Sequence, residues 1–308
     1  MENFVEEYLE RLEIDFPKNN ADKEYLNALH IAHLTHIPFE TFDLIDLKEL
    51  NISPNYIFYR LIQQKRGGVC FQLNGSFERL LKSLKYNVQM IPCCVYGIKS
   101  KAYGSCNDHL ALLITLEDGT KLLCDVGFSR NFLTPLIFKV DCVQFAKSGF
   151  FRLTKTDEYF VLERGYLGIE QNDNKVVLPS LSKLETCIVD IDPKQFKWTP
   201  SYRFTVDFDK LSTKLEDFEG ASVHVIHSPD CILNQLSLCR IEAFQPPSFI
   251  GGFGIVGNDF VEYSINENGI EAKKYFPLSN DDDNNELKKI LKEKFNLQIE
   301  RKLSLRGL

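Results

Sequence analysis

Basic charge is scarce in this 308-residue chain: 36 Lys and Arg stand against 43 Asp and Glu, for a formal net charge of −7. Nucleic acids and anionic membranes attract clustered Lys and Arg, so neither is the expected main partner. A local basic pocket for one phosphorylated ligand is compatible with that balance. Long apolar runs are also missing. None approaches the roughly 18 residues of a membrane span. The opening MENFVEEYLERLEID is acidic and amphipathic, without the basic start, apolar core and small-residue cleavage site of a signal peptide. A cytoplasmic protein is expected. No C-x-x-C pair occurs, and the nine cysteines are an odd number. That argues against a disulfide framework and against a zinc site. Most cysteines are expected to be thiols in a reducing compartment, and any one of them is by default a small buried hydrophobe. No internal repeat or long low-complexity tract is present.

What is there is an ordinary globular mixture, 44% hydrophobic and 26% charged, enough to bury a core in one large domain or two to three small ones. Its texture changes along the chain. Val5, Tyr8, Leu9 and Leu12, then Tyr25, Leu26, Leu29 and His33, then Leu73, Phe77, Leu80, Leu81 and Leu84 form three stripes at helical spacing. Pro38 and Pro54 mark turns between helices. From about residue 87, VQMIPCCVYGI, HLALLITL, KLLCDVGF and EYFVLERGYLG read as antiparallel strands, with KTDE and QNDNK as turns. After WTPSYRF, CILNQLSLCRIEAF, GGFGIV and DFVEYSI read as strands, and NNELKKILKEKF as a final helix behind a solvated SNDDDNN loop. The expected order is a helical part (1–86), a β part (87–200) and a mixed part (201–308).

One cysteine departs from the default. Cys70 follows Gly67-Gly68 and precedes the third helical stripe. It falls near a helix N-terminus, where the dipole and unpaired N–H groups favour a thiolate. The glycines are expected to let the backbone turn and leave the sulfur reachable. A nucleophilic cysteine needs a histidine, and the histidine an orienting group. His30, His33 and His36 form H-x-x-H-x-x-H in a helical stretch. A spacing of three walks around the helix and no cysteine or carboxylate completes a ligand set, so surface or interdomain packing is expected rather than metal. His224 and His227 lie in a strand-like region. His109 opens the strand HLALLITL after a polar loop, and Asp125 ends the next strand, with EDGT as the hairpin turn between them. A two-residue turn at Asp118-Gly119 would put His109 and Asp125 on opposite faces. The pair can share a face only through an odd-length loop or a bulge, and one or the other is predicted. Asp108 is the rival orienting group, but it adjoins His109 and would normally point away.

These blocks resemble the arylamine N-acetyltransferase family. The segment Arg66-Gly67-Gly68-Val69-Cys70-Phe71-Gln72-Leu73-Asn74 is similar to the family's R-G-G-x-C-F/L-E/Q-x-N hallmark. His109-Leu110 and Asp125-Val126-Gly127-Phe128 are similar to its other two catalytic blocks. YLERL, IPFETFDL and DFEGASVHVIHSPDCIL resemble further blocks, so the likeness runs over most of the chain. Gln72, Thr41, Glu13 and Cys231 depart from commoner family residues. The resemblance implies an α+β fold in three parts: a helical domain carrying the nucleophile (1–86), a β-barrel domain carrying His and Asp (87–200), and an α/β lid (201–308), around a cysteine-protease-like and transglutaminase-like core. It implies ping-pong transfer of acetyl from acetyl-CoA, without metal, to a small aromatic amine, hydrazine or hydroxylamine. Cys70 is then the nucleophile, His109 the base and Asp125 its support. The backbone N–H of Phe71 serves the oxyanion. By family position Phe39 and Phe128 line the acceptor pocket, Gly127 and Ser228 contact coenzyme A, and Arg66 with Glu40 forms a structural ion pair. A monomer or weak oligomer is expected. The alternatives are an amide synthase or a transferase of longer acyl groups, a cysteine hydrolase with the same triad, and a binding protein with an inert Cys70.

Overall fold

The structure is a computed structural model. It describes residues 3–17, 22–128, 132–167, 185–207, 214–228, 231–245, 248–265, 271–279 and 283–307. The first part is helical. Helix α1 (Phe4–Arg11) buries Phe4, Tyr8 and Leu9 on one face. Helix α2 (Lys23–His36) begins where the Asp22 carboxylate accepts the N–H of Tyr25 at 2.8 Å, satisfying an otherwise orphan donor. Its burial exceeds the stripe read from the sequence: His30, Ile31 and Ala32 are covered as well as Leu26, Leu29 and His33. Strand β1 (Phe39–Glu40), α3 (Phe42–Asp46) and α4 (Pro54–Phe58) follow. Then comes α5 (Cys70–Ser83), whose Leu73, Phe77, Leu80 and Leu81 are wholly buried, as their spacing predicts.

The second part is one antiparallel sheet. Its strands are β2 (Asn87–Gly97), β3 (Ala102–Tyr103), β4 (His109–Thr115), β5 (Lys121–Cys124), β6 (Leu136–Ile137), β7 (Val143–Phe145), β8 (Phe150–Lys155), β9 (Tyr159–Leu167), β10 (Cys187–Val189) and β11 (Phe196–Thr205). The order is β10-β7-β8-β9-β11-β2-β4-β5-β6, with β3 on β2. The sheet curls until β7, next to one edge, reaches β6 at the other. The Gln144 side chain on β7 accepts the N–H of Ile137 on β6 and donates to its carbonyl, both at 2.9 Å. KTDE forms the β8–β9 turn, where Thr156 N–H donates to Tyr159 O at 2.8 Å; QNDNK lies outside the described residues. Strand β4 is buried on both faces. Leu110, Leu112 and Ile114 pack on the helices, while Ala111 and Leu113 join Phe151, Tyr202 and Phe204 inside the barrel.

The third part holds α6 (Glu219–His227), α7 (Ile232–Gln235), β12 (Leu238–Gln245), β13 (Ser248–Val256), β14 (Asp259–Ile265), β15 (Glu271–Pro277) and α8 (Asn285–Phe295). Leu287, Leu291 and Phe295 of α8 pack on Cys239, Ile255 and Phe260 of the sheet. Three expectations change here. His224 and His227 lie on a helix, because Phe218, Ser222 and Val225 recur at helical spacing and are buried while Val223 is exposed. CILNQ opens with the short helix α7 before its strand begins. The boundaries at 86/87 and 200/201 are crossed by backbone pairing: β11 continues to Thr205 in the barrel sheet, and β1 is the edge strand of the lid sheet, pairing Phe39 with Arg240 and Glu40 with Cys239. Among the described residues no helix is long and apolar enough to cross a membrane.

Candidate active site

Cys70 is the first residue of α5 and is buried. Val69 before it is extended, with φ −96° and ψ 176°. The Gln72 side chain reaches back to accept the N–H of Val69 at 3.2 Å, the half of a capping box that valine leaves possible. The glycines act by close approach rather than by an unusual turn, since neither has a positive φ. A Cβ on Gly67 would sit 2.2 Å from Pro38 O, and one on Gly68 would sit 2.6 Å from Gln72 Oε1. The loop they form is pinned from below. Arg60 Nε donates to Gly67 O at 2.7 Å. Glu40 accepts from Arg60 at 2.8 Å and from Arg66 at 2.9 Å. Asp43 accepts from Arg60, from Arg66 at 3.0 Å and from Arg301 at 2.7 Å. The expected Arg66–Glu40 pair is thus part of a buried network that also holds the C-terminal segment.

The predicted odd loop is present. Strands β4 and β5 pair Thr115 with Lys121 and Leu112 with Cys124, so three residues, Glu117, Asp118 and Gly119, lie outside the Leu116–Thr120 closure. Gly119 takes φ +82°, the left-handed residue such a loop needs. His109 and Asp125 therefore share a face. His109 Nε2 lies 2.8 Å from Asp125 Oδ2, and the imidazole also interacts with Cys70, which favours its charged form. Asp125 Oδ1 accepts from Asn74 Nδ2 at 2.8 Å and from Gly127 N–H at 3.0 Å. Asn74 also donates to Leu110 O at 2.6 Å and accepts from Val126 N–H at 2.9 Å. Asp108 is not the orienting group: its Oδ1 accepts the N–H of Val95 at 2.8 Å.

The electrostatics follow from this burial. Loss of solvent alone would push His109 down, but the Asp125 charge, the hydrogen bond to it and Cys70 outweigh burial and raise the imidazole to about 10. Burial would raise Asp125, but His109, Asn74 and Gly127 N–H hold it below the usual carboxylate range. Asp108 is pushed up by burial to about 6. Burial also raises the thiols of Cys93, Cys124 and Cys239, which keeps them unreactive.

The other expected residues divide. Half-buried Phe128 stands edge-on to His109, ring centres 5.1 Å apart at 64°. Half-buried Phe39 sits on β1 beside Gly68. Gly127 is buried, and a Cβ there would come 2.7 Å from Cys70 Cα and Asn74 Nδ2. It packs beneath the nucleophile. Gly127→Ala should push the first turn of α5, and kcat/KM should fall roughly tenfold to a hundredfold in steady-state assays of the folded variant. Ser228 caps α6, its N–H donating to His224 O at 2.8 Å, and its carbonyl accepts from Asn234. The lid comes near the nucleophile through Cys231, which packs against the core cluster that contains Cys70.

Four features were not read from the sequence. Asn74 stood in the hallmark but had no assigned task. Tyr202 packs its ring 5.0 Å from that of His109 and 5.3 Å from that of Phe128. His30 and His33 are buried, one of the two placements expected of them, but on partners the sequence did not show: His30 on Leu133 O and Asp125 N–H across the helical and β parts, His33 on the Tyr8 hydroxyl. Cys94 and Cys106 form a disulfide, Cα atoms 4.2 Å apart, while the other seven cysteines are free thiols, in line with the expectation that most would be. The connection folds back so that Asn107 N–H reaches Cys93 O and Asp108 reaches Val95, and this aligns the two sulfurs.

A buried cysteine at a helix start, an imidazole that interacts with it and a carboxylate behind the imidazole define a cysteine-nucleophile acyl-transfer centre. A family model described as N-acetyltransferase matches residues 22–304, and the chain belongs to the arylamine N-acetyltransferase family. It is 26% identical to human arylamine N-acetyltransferase 1 over 308 residues, 97% of this chain and 96% of that one. Its fold is similar to that of the arylamine N-acetyltransferase of Salmonella typhimurium, with TM-score 0.73 at 22% identity over 96% of this chain and 91% of the other. It is similar also to that of the Mycobacterium marinum enzyme in complex with CoA, with TM-score 0.72 at 18% identity over 95% and 92%.

Proposed function

We propose that this chain moves an acetyl group from acetyl-CoA to small aromatic amines, hydrazines or hydroxylamines through an acetyl-Cys70 intermediate. The observation that carries the reading is the row Cys70–His109–Asp125, with the imidazole raised to about 10 in a buried site. His109 takes the thiol proton of Cys70, and Asp125 stabilises the resulting imidazolium. The Cys70 sulfur attacks the thioester carbonyl, and the N–H of Phe71 at the start of α5 donates to the oxyanion. Collapse breaks the C–S bond to coenzyme A, whose departing sulfur takes the proton from His109. The acceptor nitrogen then attacks the acetyl carbonyl and gives its proton to His109. Cys70 leaves as thiolate, and the starting ion pair is restored. Phe128 forms a wall for a flat acceptor beside His109, and Phe39 a second apolar surface near the Gly68 loop. Ser228, in the α6–α7 connection, and Gly127, beside the nucleophile, are the coenzyme contacts. The CoA complex of the M. marinum relative supports that donor.

The test is intact-protein mass after brief mixing with acetyl-CoA and no acceptor. One added acetyl group is expected on the wild type, none on Cys70→Ala, with discharge on adding an arylamine. Absence of the adduct with release of free acetate would favour a hydrolase instead.

A further inference from the structure

We propose that His30, on α2, is a positioning residue for the acetyl-transfer centre: its imidazole holds the backbone of Asp125, and through it the carboxylate that orients His109. The inference rests on the Cys70–His109–Asp125 reading and adds a residue from another helix to it.

The chemistry of its two partners defines the state of the ring. Leu133 O, 2.9 Å from Nδ1, can only accept, so Nδ1 carries the proton. The N–H of Asp125, 3.2 Å from Nε2, can only donate, so Nε2 offers its lone pair. Only the neutral Nδ1–H imidazole satisfies both. Burial favours that neutral form and pushes the group down to about 4, against the opposing effects of Leu133 O and Asp125. The ring has little freedom to leave. It stacks on Phe132 with centres 5.6 Å apart at 16°, and Phe77 meets it edge-on at 6.1 Å.

With His30 in place, the backbone N–H and both oxygens of Asp125 have partners: the N–H on His30, Oδ1 on Asn74 and Gly127, and Oδ2 on His109. Removing the acceptor leaves a buried N–H that water does not reach. The backbone can relieve that cost only by moving, and a move carries the carboxylate away from His109 Nε2. A group behind a catalytic ligand that fixes its orientation in this way influences reactivity without touching substrate.

The experiment compares wild type, His30→Phe, His30→Asn and His30→Gln, with Asp125→Asn as reference. Phenylalanine fills the space and supplies neither hydrogen bond. Asparagine retains a donor for Leu133 O but no acceptor at the Nε2 position. Glutamine can reach that position and accept. Three quantities are read: thermal midpoint, the single-turnover rate of Cys70 acetylation by acetyl-CoA, and the pH profile of Cys70 alkylation by iodoacetamide. His30→Phe and His30→Asn are expected to acetylate roughly tenfold to a hundredfold more slowly, with the acid limb of the alkylation profile displaced to higher pH, as in Asp125→Asn. His30→Gln is expected to recover most of the rate and the wild-type profile. His30→Asn carries the test if His30→Phe does not fold. The proposal is overturned if the folded acceptor-less variants keep the wild-type profile, whatever their thermal midpoint, or if His30→Gln matches His30→Asn in both measurements. Should Asp125→Asn itself leave the profile unmoved, the triad reading is what fails, and the role of His30 goes with it.

Discussion

Asp125→Asn is expected to slow acetylation of Cys70 by about 10³- to 10⁴-fold while leaving the protein folded. The size follows from the donors around the carboxylate. Asn74 Nδ2 and Gly127 N–H both point at Oδ1, and His109 Nε2 is at Oδ2. A carboxylate accepts at both oxygens; an amide cannot. If the new amide turns its oxygen toward Asn74 and Gly127, its NH₂ faces His109 and opposes a protonated Nε2. If it turns the other way, NH₂ meets two donors. Either orientation removes the support for the imidazolium. The pH dependence carries the same sign. Asp125 is what raises His109 to about 10 against burial, so the wild-type imidazolium persists through neutral pH and is lost as pH climbs through about 10. In the variant burial dominates, and the loss should move to lower pH. Single-turnover acetylation followed across pH 6 to 11, a range bracketing the ordinary and raised histidine values, checks both points.

Glu40→Ala should be the most destabilising single change in the ion network, by about 3–5 kcal/mol. The Glu40 side chain is fully buried, and it faces Arg60 and Arg66, whose side chains are 5% and 12% exposed. Removing it leaves two buried guanidinium groups with only Asp43 to share, the costly case of an uncompensated interior charge. Arg301→Ala removes a partner that is 29% exposed and can be replaced by water, and should cost nearer 1 kcal/mol. Urea unfolding of both variants measures the contrast. A Glu40 variant within about 1 kcal/mol of wild type would mean the network orders the Gly67-Gly68 loop without holding the fold together.

Much of the site was open to inspection in the chain alone, for physical reasons. The cysteine ahead of Leu73, Phe77, Leu80 and Leu81 had to begin a helix, because those residues bury one helical face and leave Cys70 at its start. The hairpin arithmetic around Asp118-Gly119 turned a shared task for His109 and Asp125 into a demand for an odd loop, and Gly119 at φ +82° meets it. Such inferences succeed where the interaction is local, or where period-2 alternation ties side-chain direction to residue number.

The rest required the tertiary structure. Tyr202 faces His109 because the β9–β11 register shifts between Pro200 and Tyr202, and a bulge breaks the parity by which a strand residue's side is counted. The helix at His224 and His227 overrode an alternating VHVIH because Phe218, Ser222 and Val225 had a core to enter. Strand β1 joined the lid sheet through pairing with residues about 200 positions away, a link that contiguous segments of sequence do not show. His30 belongs to the same class. Its spacing from His33 and His36 says only that they share a helix, and its link to Asp125 spans 95 residues. The sequence by itself singled out Cys70, His109 and Asp125 and the odd loop that lets the last two share a face. Three-dimensional packing alone decided what stands behind the carboxylate and what lies against the imidazole, since those contacts join distant segments through buried backbone groups that have no sequence signature.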